Sequence, residues 1–268
     1  MKPLTIIPTY NEHDNVRRLI PALLDIEPTL EVLVVDDASP DGTGEIAESL
    51  AHETGRVRVI HREGKLGLGT AYVAGFEYAL GHDYDPVIQM DADFSHRPED
   101  LPSLLRAVES ADVVIGSRRV SGGQMENWPQ MRRFISKGGN LYARIILNLP
   151  IRDCTAGFKC FRRGTLEAVD FASVTSNGYG FQVEMNFLWH RAGFRIVEVP
   201  IVFPDRTAGH SKMSSRIFLE AATLVCKLRW SEARPAQIQR RSRGSFGRRS
   251  LGSSESSLFT GGMPWHRR

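Results

Sequence analysis

Short aliphatic and β-branched runs alternate with segments of helical period along the first half of this 268-residue chain. That alternation constrains the fold more than any other feature. Leu4–Pro8, Leu30–Val35, Arg56–Ile60, Pro86–Met90 and Asp112–Gly116 read as strands. Between them, Asn15–Leu24 places Val16, Leu19, Ile20 and Leu23 on one stripe, and Gly44–Leu50 opens a second helix. Thr70–Leu80 and Glu99–Glu109 supply two more. Near-continuously apolar strands separated by helices predict parallel βαβ units with both sheet faces covered. The fold class is therefore α/β, with a mostly parallel central sheet flanked by helices. An apolar fraction of 41% suits a packed core of this kind and excludes a mainly disordered chain.

The pattern fails after Trp230. Residues 231–268 are rich in Ser, Gly and Arg, carry eight Arg against two Glu, and have no apolar period. The chain thus divides into a body over 1–230 and a basic tail over 231–268 that reads as disordered. The tail's charge suits a solvated terminus or an anionic membrane face equally. No aromatic platform or reading motif accompanies it, so nucleic acid is not the expected partner. Three cysteines make no disulfide framework and point to a reducing compartment. The N-terminus becomes charged too early for a secretory signal, and no stretch reaches ~18 uninterrupted apolar residues. Cytoplasmic placement is the expectation.

In parallel α/β sheets, ligands bind beyond the carboxyl ends of the strands. Polar residues gather at those ends here: Thr9-Tyr10-Asn11-Glu12, Asp36-Asp37, Asp91-Ala92-Asp93 and Ser117-Arg118-Arg119. A single Asp after a strand is usually a helix cap, but four such ends on one rim point to a site. Asp91 and Asp93, two residues apart at the end of an extended strand, project to one side and can share a hard cation. Oxygen ligands with open positions suit Mg²⁺ or Mn²⁺ bridging a diphosphate, whose departure such a metal assists. The run Gly64-Lys65-Leu66-Gly67-Leu68-Gly69 lacks the context of a dinucleotide fingerprint or P-loop. It reads as a flexible loop near the nucleotide.

The motifs Ile7-Pro8-Thr9-Tyr10-Asn11-Glu12, Val34-Val35-Asp36-Asp37-Ala38-Ser39-Pro40-Asp41-Gly42-Thr43, Gly67-Leu68-Gly69-Thr70-Ala71-Tyr72 and Met90-Asp91-Ala92-Asp93-Phe94-Ser95-His96 resemble glycosyltransferase family 2. More narrowly they resemble its dolichyl-phosphate (polyprenyl-phosphate) mannose synthases, as do Asp205-Arg206 and Ser211-Lys212-Met213-Ser214. The resemblance covers about Leu4 to Trp230. It implies a GT-A fold, a GDP-mannose donor, a divalent metal (Mg²⁺ or Mn²⁺) and a polyprenyl or dolichyl phosphate acceptor. It implies that Pro8, Tyr10, Glu12, Val35 and Asp37 line the guanosine end of the donor. Asp91, Ala92 and Asp93 would meet diphosphate and metal, and Arg118, Arg206 and Lys212 would hold phosphate charge. Asp205–Ser214 reads as a mobile loop closing over the donor. A UDP-glucose-dependent member of the family and a non-catalytic nucleotide-sugar-binding subunit are the alternatives.

Arg132 and Ser136 lie four apart on one helical face, in position to grip a lipid phosphate. Leu141, Ile145, Ile146 and Leu149 form an apolar stripe beside them that fits either a membrane-facing surface or core packing. Ile217–Leu228 is a second amphipathic candidate, with Arg229 and Trp230 suited to an interface. Peripheral attachment to the cytoplasmic face of a membrane, or recruitment by a membrane-anchoring protein partner, is therefore expected. A phosphate acceptor is already ionised near neutral pH, so the reaction needs no general base, and His96 reads as structural. Direct attack on the opposite face would invert the sugar linkage.

Overall fold

The computed structural model describes residues 2–174, 176–204 and 223–230. The elements run β1 (Leu4–Thr9), α1 (His13–Ile26), β2 (Glu31–Asp36), α2 (Thr43–Thr54), β3 (Val57–His61), α3 (Leu68–Gly81) and β4 (Val87–Gln89). They continue through α4 (Leu101–Val108), β5 (Val113–Ser117), β6 (Gln124–Met125), α5 (Gln130–Ile146), β7 (Lys159–Phe161) and α6 (Arg163–Glu167). The last are α7 (Gly178–Arg191), β8 (Ile196–Pro200) and β9 (Val202–Phe203). Residues 223–230 are helical. The five expected strands appear as β1 to β5 and the four expected helices as α1 to α4, with ends shifted by a few residues.

Seven strands form one sheet in the order β3-β2-β1-β4-β7-β5-β8. Neighbours are parallel except for β7, which runs antiparallel to both β4 and β5. This is the mostly parallel α/β sheet of the GT-A fold that the resemblance implies. Strands β6 and β9 form a separate parallel pair.

Alternating side chains explain why the strands read as unbroken apolar runs. Leu4, Ile6, Leu33, Val35, Val113 and Ile115 face one core with Tyr72, Phe76, Phe161, Phe181 and Trp189. Ile7, Val32, Val34, Ile88 and Val114 face the other core, with Val16, Leu19, Ile20 and Leu23 of α1 and Leu101, Leu104 and Val108 of α4. Each fully buried aliphatic side chain contributes on the order of 1.5–3 kcal/mol to folding, so neither face can turn to water. Parallel pairing in register from Leu4↔Glu31 to Thr9↔Asp36 brings the polar ends of β1 and β2 to one rim. Among the described residues, no helix is long and apolar enough to cross a membrane.

Candidate active site

The rim is built from backbone turns that few residues tolerate. Just beyond β1, β2 and β4 the chain passes through left-handed conformations at Asn11 (φ 60), Ala38 (φ 54) and Phe94 (φ 58). At Ala38 and Phe94 this costs on the order of 1–3 kcal/mol, strain that persists only where surrounding bonds enforce it. Those bonds are present. Buried Asp36 accepts from Thr9 Oγ1 (2.9 Å), Ser39 N (3.0 Å) and Ser39 Oγ (2.6 Å). Ser39 Oγ accepts in turn from Asn11 N at 3.0 Å, and Thr43 Oγ1 accepts from Glu12 N at 2.9 Å. The first two strand ends are thereby stitched together.

Below this rim lies a cleft of ≈ 220 Å³. It brings together Pro8, Tyr10, Glu12 and Asp37 with Asp91, Ala92 and Asp93, as the sequence leads one to expect. Asp37 has an architectural duty as well. Its Oδ1 accepts from Arg62 Nη1 at 2.7 Å, and its Oδ2 accepts from the backbone N–H groups of Leu66 (3.0 Å) and Gly67 (3.1 Å). The glycine loop is thus tied down by Asp37 and forms a wall, with Lys65, Gly67 and Leu68 all lining the cleft. Gly69 serves packing: a Cβ there would lie 2.5 Å from the carbonyl oxygen of Ser176. The Lys65 ammonium stands 3.7 Å above the Tyr10 ring, a cation–π contact that holds a positive charge over the cleft.

Asp91 is oriented from three sides. Its Oδ1 accepts from the Tyr72 hydroxyl at 3.1 Å, and its backbone N–H donates to His96 Nδ1 at 3.0 Å. Burial, reinforced by the Asp91 charge, raises the Tyr72 pKa well above its ordinary value, so the hydroxyl stays protonated as a donor. Gly157 closes the third side: a Cβ there would sit 3.2 Å from His96 Cε1 and 3.4 Å from Asp91 Oδ2. His96 is buried and stacked on Phe158 at 5.1 Å, and its Nδ1 is occupied. It is structural, as read from the sequence. Asp93 Oδ1 accepts from Ser95 N at 3.1 Å. Among the described residues there is no group of three or more His, Cys, Asp or Glu able to hold a metal. The two cleft carboxylates are hard oxygen donors of the kind Mg²⁺ or Mn²⁺ takes when substrate phosphates and water complete its shell. The residues fit such an ion.

Two predicted donor residues lie off the cleft wall. Val35 is fully buried in the core beneath it, where the inward face of β2 packs. Arg118 turns into protein: its Nε and Nη2 donate to Asp153 at 2.7 and 2.6 Å, its backbone N–H at 3.0 Å. Both side chains of that pair are buried, and the arginine charge holds the Asp153 carboxyl below its usual range despite burial. On α5, Arg132 stacks over Trp128 at 3.9 Å and Ser136 Oγ accepts from Arg119 Nη2 at 2.8 Å. The expected apolar stripe divides: Leu149 is buried and Ile146 half-buried, while Leu141 and Ile145 are exposed.

Glycosyl transferase family 2 matches residues 5–170. The chain belongs to that family. An undecaprenyl-phosphate mannosyltransferase of Micrococcus luteus is 54% identical over 233 residues, covering 87% of this chain and 95% of the relative. A polyprenol monophosphomannose synthase of Mycolicibacterium smegmatis is 47% identical, covering 84% and 86%. Among solved structures, a mannosyltransferase of Pyrobaculum calidifontis in complex with GDP-Man and Mn²⁺ shares the fold. It superposes with a TM-score of 0.56 at 16% identity, covering 88% of this chain and 65% of that one.

The family motifs account for most of the cleft, Tyr72 included, but leave two contributors outside them: Lys65 and Arg62. For Lys65 a signal existed, a lone cation in a glycine loop at the carboxyl end of a parallel strand. Arg62 and Tyr72 act through Asp37 and Asp91, and a sequence gives no sign of such pairings. Arg206, Lys212 and the Asp205–Ser214 segment lie outside the described residues, as do Ile217–Leu219 and the tail. Of the second amphipathic candidate, Val225 and Leu228 pack into the core and Trp230 is exposed.

Proposed function

We propose that this family 2 enzyme transfers mannose from GDP-mannose to the phosphate of a polyprenyl or dolichyl lipid, inverting the linkage to give a β-mannosyl phosphate. One observation carries the reading: Asp91 and Asp93 stand on the wall of a cleft that also holds Tyr10, Glu12, Asp37 and Lys65. That set offers hard oxygen ligands at one end and hydrogen-bond acceptors for a base and ribose at the other. The named activities of the two bacterial relatives support the same substrates.

The division of labour follows from the residues. Glu12 and Asp37 accept from nucleoside N–H and O–H groups, and Pro8 and Tyr10 give the apolar contact. Lys65 brings positive charge toward the diphosphate. Asp91, held by Tyr72, and Asp93 would hold Mg²⁺ or Mn²⁺, which when bound neutralises charge on the departing diphosphate. The acceptor phosphate attacks the sugar without a protein base, since its oxygens are already ionised. Catalysis is then alignment plus leaving-group stabilisation. Arg206 and Lys212 are assigned phosphate contacts from the family motifs alone.

The lipid acceptor implies work at a membrane surface, and α5 offers one. Met131 (70% exposed), Phe134 (76%), Leu141 (51%) and Ile145 (65%) fall at helical spacing on one stripe. Exposed Arg133, Lys137 and Arg144 flank it. An apolar stripe rimmed by cations suits an anionic cytoplasmic leaflet, whether the enzyme binds alone or beside an anchoring protein. Transfer from labelled GDP-mannose to a short polyprenyl phosphate, with and without chelator, tests the function. Labelled lipid and GDP are expected only with free metal. Transfer from UDP-glucose with none from GDP-mannose would overturn the donor assignment.

A further inference from the structure

Helix α1 opens in a way that its own N-cap residue does not explain. Glu12 holds that position, and its carbonyl accepts the first helical N–H, from Val16, at 2.8 Å. The side chains favoured there turn back onto the N–H groups of the first turn. The Glu12 carboxylate makes no such bond and lines the cleft instead. The cap is supplied from the loop after β2, where Asp41 Oδ2 accepts from His13 N at 3.2 Å. Thr43 Oγ1 accepts from Glu12 N at 2.9 Å while donating to Asp41 Oδ1. Borrowed acceptors thus hold the helix start and release the glutamate side chain for another duty. Local rules set aside in this way are expected at functional sites.

The carboxylate is fixed by a side chain three residues on. Asn15 Nδ2 donates to Glu12 Oε2 at 2.6 Å, and both residues are half-buried. An ionised carboxylate only accepts, so the amide nitrogen of Asn15, not its oxygen, must face it. Hydrogen bonds to an ionised partner are shorter and stronger than neutral ones. Ordering a long side chain at the moment of binding costs affinity, and a brace made beforehand removes that cost. Among the described residues, Asn15 does not line the cleft. Its effect on a ligand there passes through Glu12.

We propose that Asn15 is a positioning residue for the donor nucleoside, locking the Glu12 carboxylate in the orientation that accepts one of its N–H or O–H groups. The assignment rests on the function proposed above and deepens its donor end, adding a residue outside the motifs read from the sequence.

Calorimetric titration of the full chain with nucleoside diphosphates and Mn²⁺ tests it. Asn15→Leu keeps the size of the side chain and removes the donor, and GDP affinity should fall ten-fold or more. Asn15→Gln, which retains an amide N–H, should recover part of the loss. Three analogues identify the group that Glu12 receives. IDP lacks the exocyclic amine of the base, and 2′-deoxy-GDP and 3′-deoxy-GDP each lack one hydroxyl. In the wild type one of them should bind ten-fold or more weaker than GDP, and in Asn15→Leu that gap should narrow to roughly three-fold or less. A helix merely weakened at its start would lower affinity for all four ligands alike and leave every gap unchanged. That result, the absence of any gap in the wild type, or undiminished GDP affinity in Asn15→Leu would overturn the assignment. In transfer assays the donor KM should rise while kcat and the acceptor KM stay within two-fold, because Glu12 meets the nucleoside and not the reacting carbon. A fall confined to kcat would also overturn it. Should Asn15→Leu fail to fold by thermal melting, Asn15→Ala takes its place, and unchanged gaps in that variant would sink the proposal. If the wild type binds UDP in preference to GDP, the donor reading fails by itself. UDP and its 2′- and 3′-deoxy analogues then replace the GDP series in the same comparison, with the same outcomes deciding Asn15. If no nucleoside diphosphate binds, both readings fail.

Discussion

Asp93→Asn removes one negative charge and one hard oxygen ligand from the cleft while leaving the side-chain volume intact. Its Oδ1 accepts from Ser95 N, a bond an amide oxygen also accepts, so the turn survives. Turnover is expected to fall by at least a hundred-fold with no change in melting temperature; wild-type rates with saturating metal would contradict the assigned role. Lys159 makes a different kind of prediction. Its ammonium is fully buried, donates to Gln182 Oε1 (2.8 Å) and the Gln182 carbonyl (3.2 Å), and lies 5.5 Å from the Trp189 ring. Burial lowers its pKa to about 7. Between there and the unfolded value of about 10.4, the unfolded chain holds a proton that the folded chain has shed. Stability therefore rises with pH across that window, by at most about 1.4 kcal/mol per unit, and below it the penalty is constant. Lys159→Met should flatten this rise. Urea unfolding at pH 7 and pH 9 checks it, and parallel behaviour of variant and wild type would refute the account.

At the scale of elements, β1, β2 and β5 were legible because each is apolar on both faces, so the run itself is the signal. Edge strand β3, with Arg58 exposed, was instead legible from its β-branched residues. Strand β7 was not. Three residues carry no period, and Lys159 at its head reads as surface although it is wholly buried. The site followed the same rule. Residues at strand ends, such as Asp91, Asp93 and Glu12, were readable from position and motif, whereas Val35 and Arg118 depend on which way a side chain turns. For Arg118 the deciding partner, Asp153, lies 35 residues on, a distance over which sequence pattern is silent. Helix α5 divides between these cases: its period was visible, but the choice between core and surface needed its neighbours. Its stripe gives a direct test. Phe134→Ser combined with Ile145→Ser removes two exposed apolar side chains without touching the core, so thermal stability should hold. Binding to phospholipid vesicles should fall ten-fold or more, measured by sedimentation, while rates on a water-soluble short-chain acceptor stay within a few-fold. Undiminished vesicle binding would remove α5 from the membrane contact.

For the whole molecule, the membrane attachment proposed above would divide between an apolar and an electrostatic contribution, because one weak anchor gives only marginal binding and two give stable association. The apolar part would be the exposed α5 stripe. The electrostatic part is assigned to residues 231–268, where eight Arg face two Glu, an excess absent from the preceding residues. Each basic residue near an anionic leaflet contributes about 1 kcal/mol at most, and that attraction decays within a Debye length of about 8 Å at physiological salt. The two contributions therefore respond to different variables: the first to apolar substitution, the second to lipid charge and ionic strength. Deleting residues 231–268 should lower affinity for vesicles containing anionic lipid by ten-fold or more at low salt, with the difference vanishing as salt is raised. Affinity for uncharged vesicles should be unchanged, as should turnover on a short acceptor, because none of the assigned cleft residues belongs to the deleted segment. Co-sedimentation across a salt series with both vesicle types measures this, and full retention of binding to anionic vesicles at low salt would leave the tail without a membrane role.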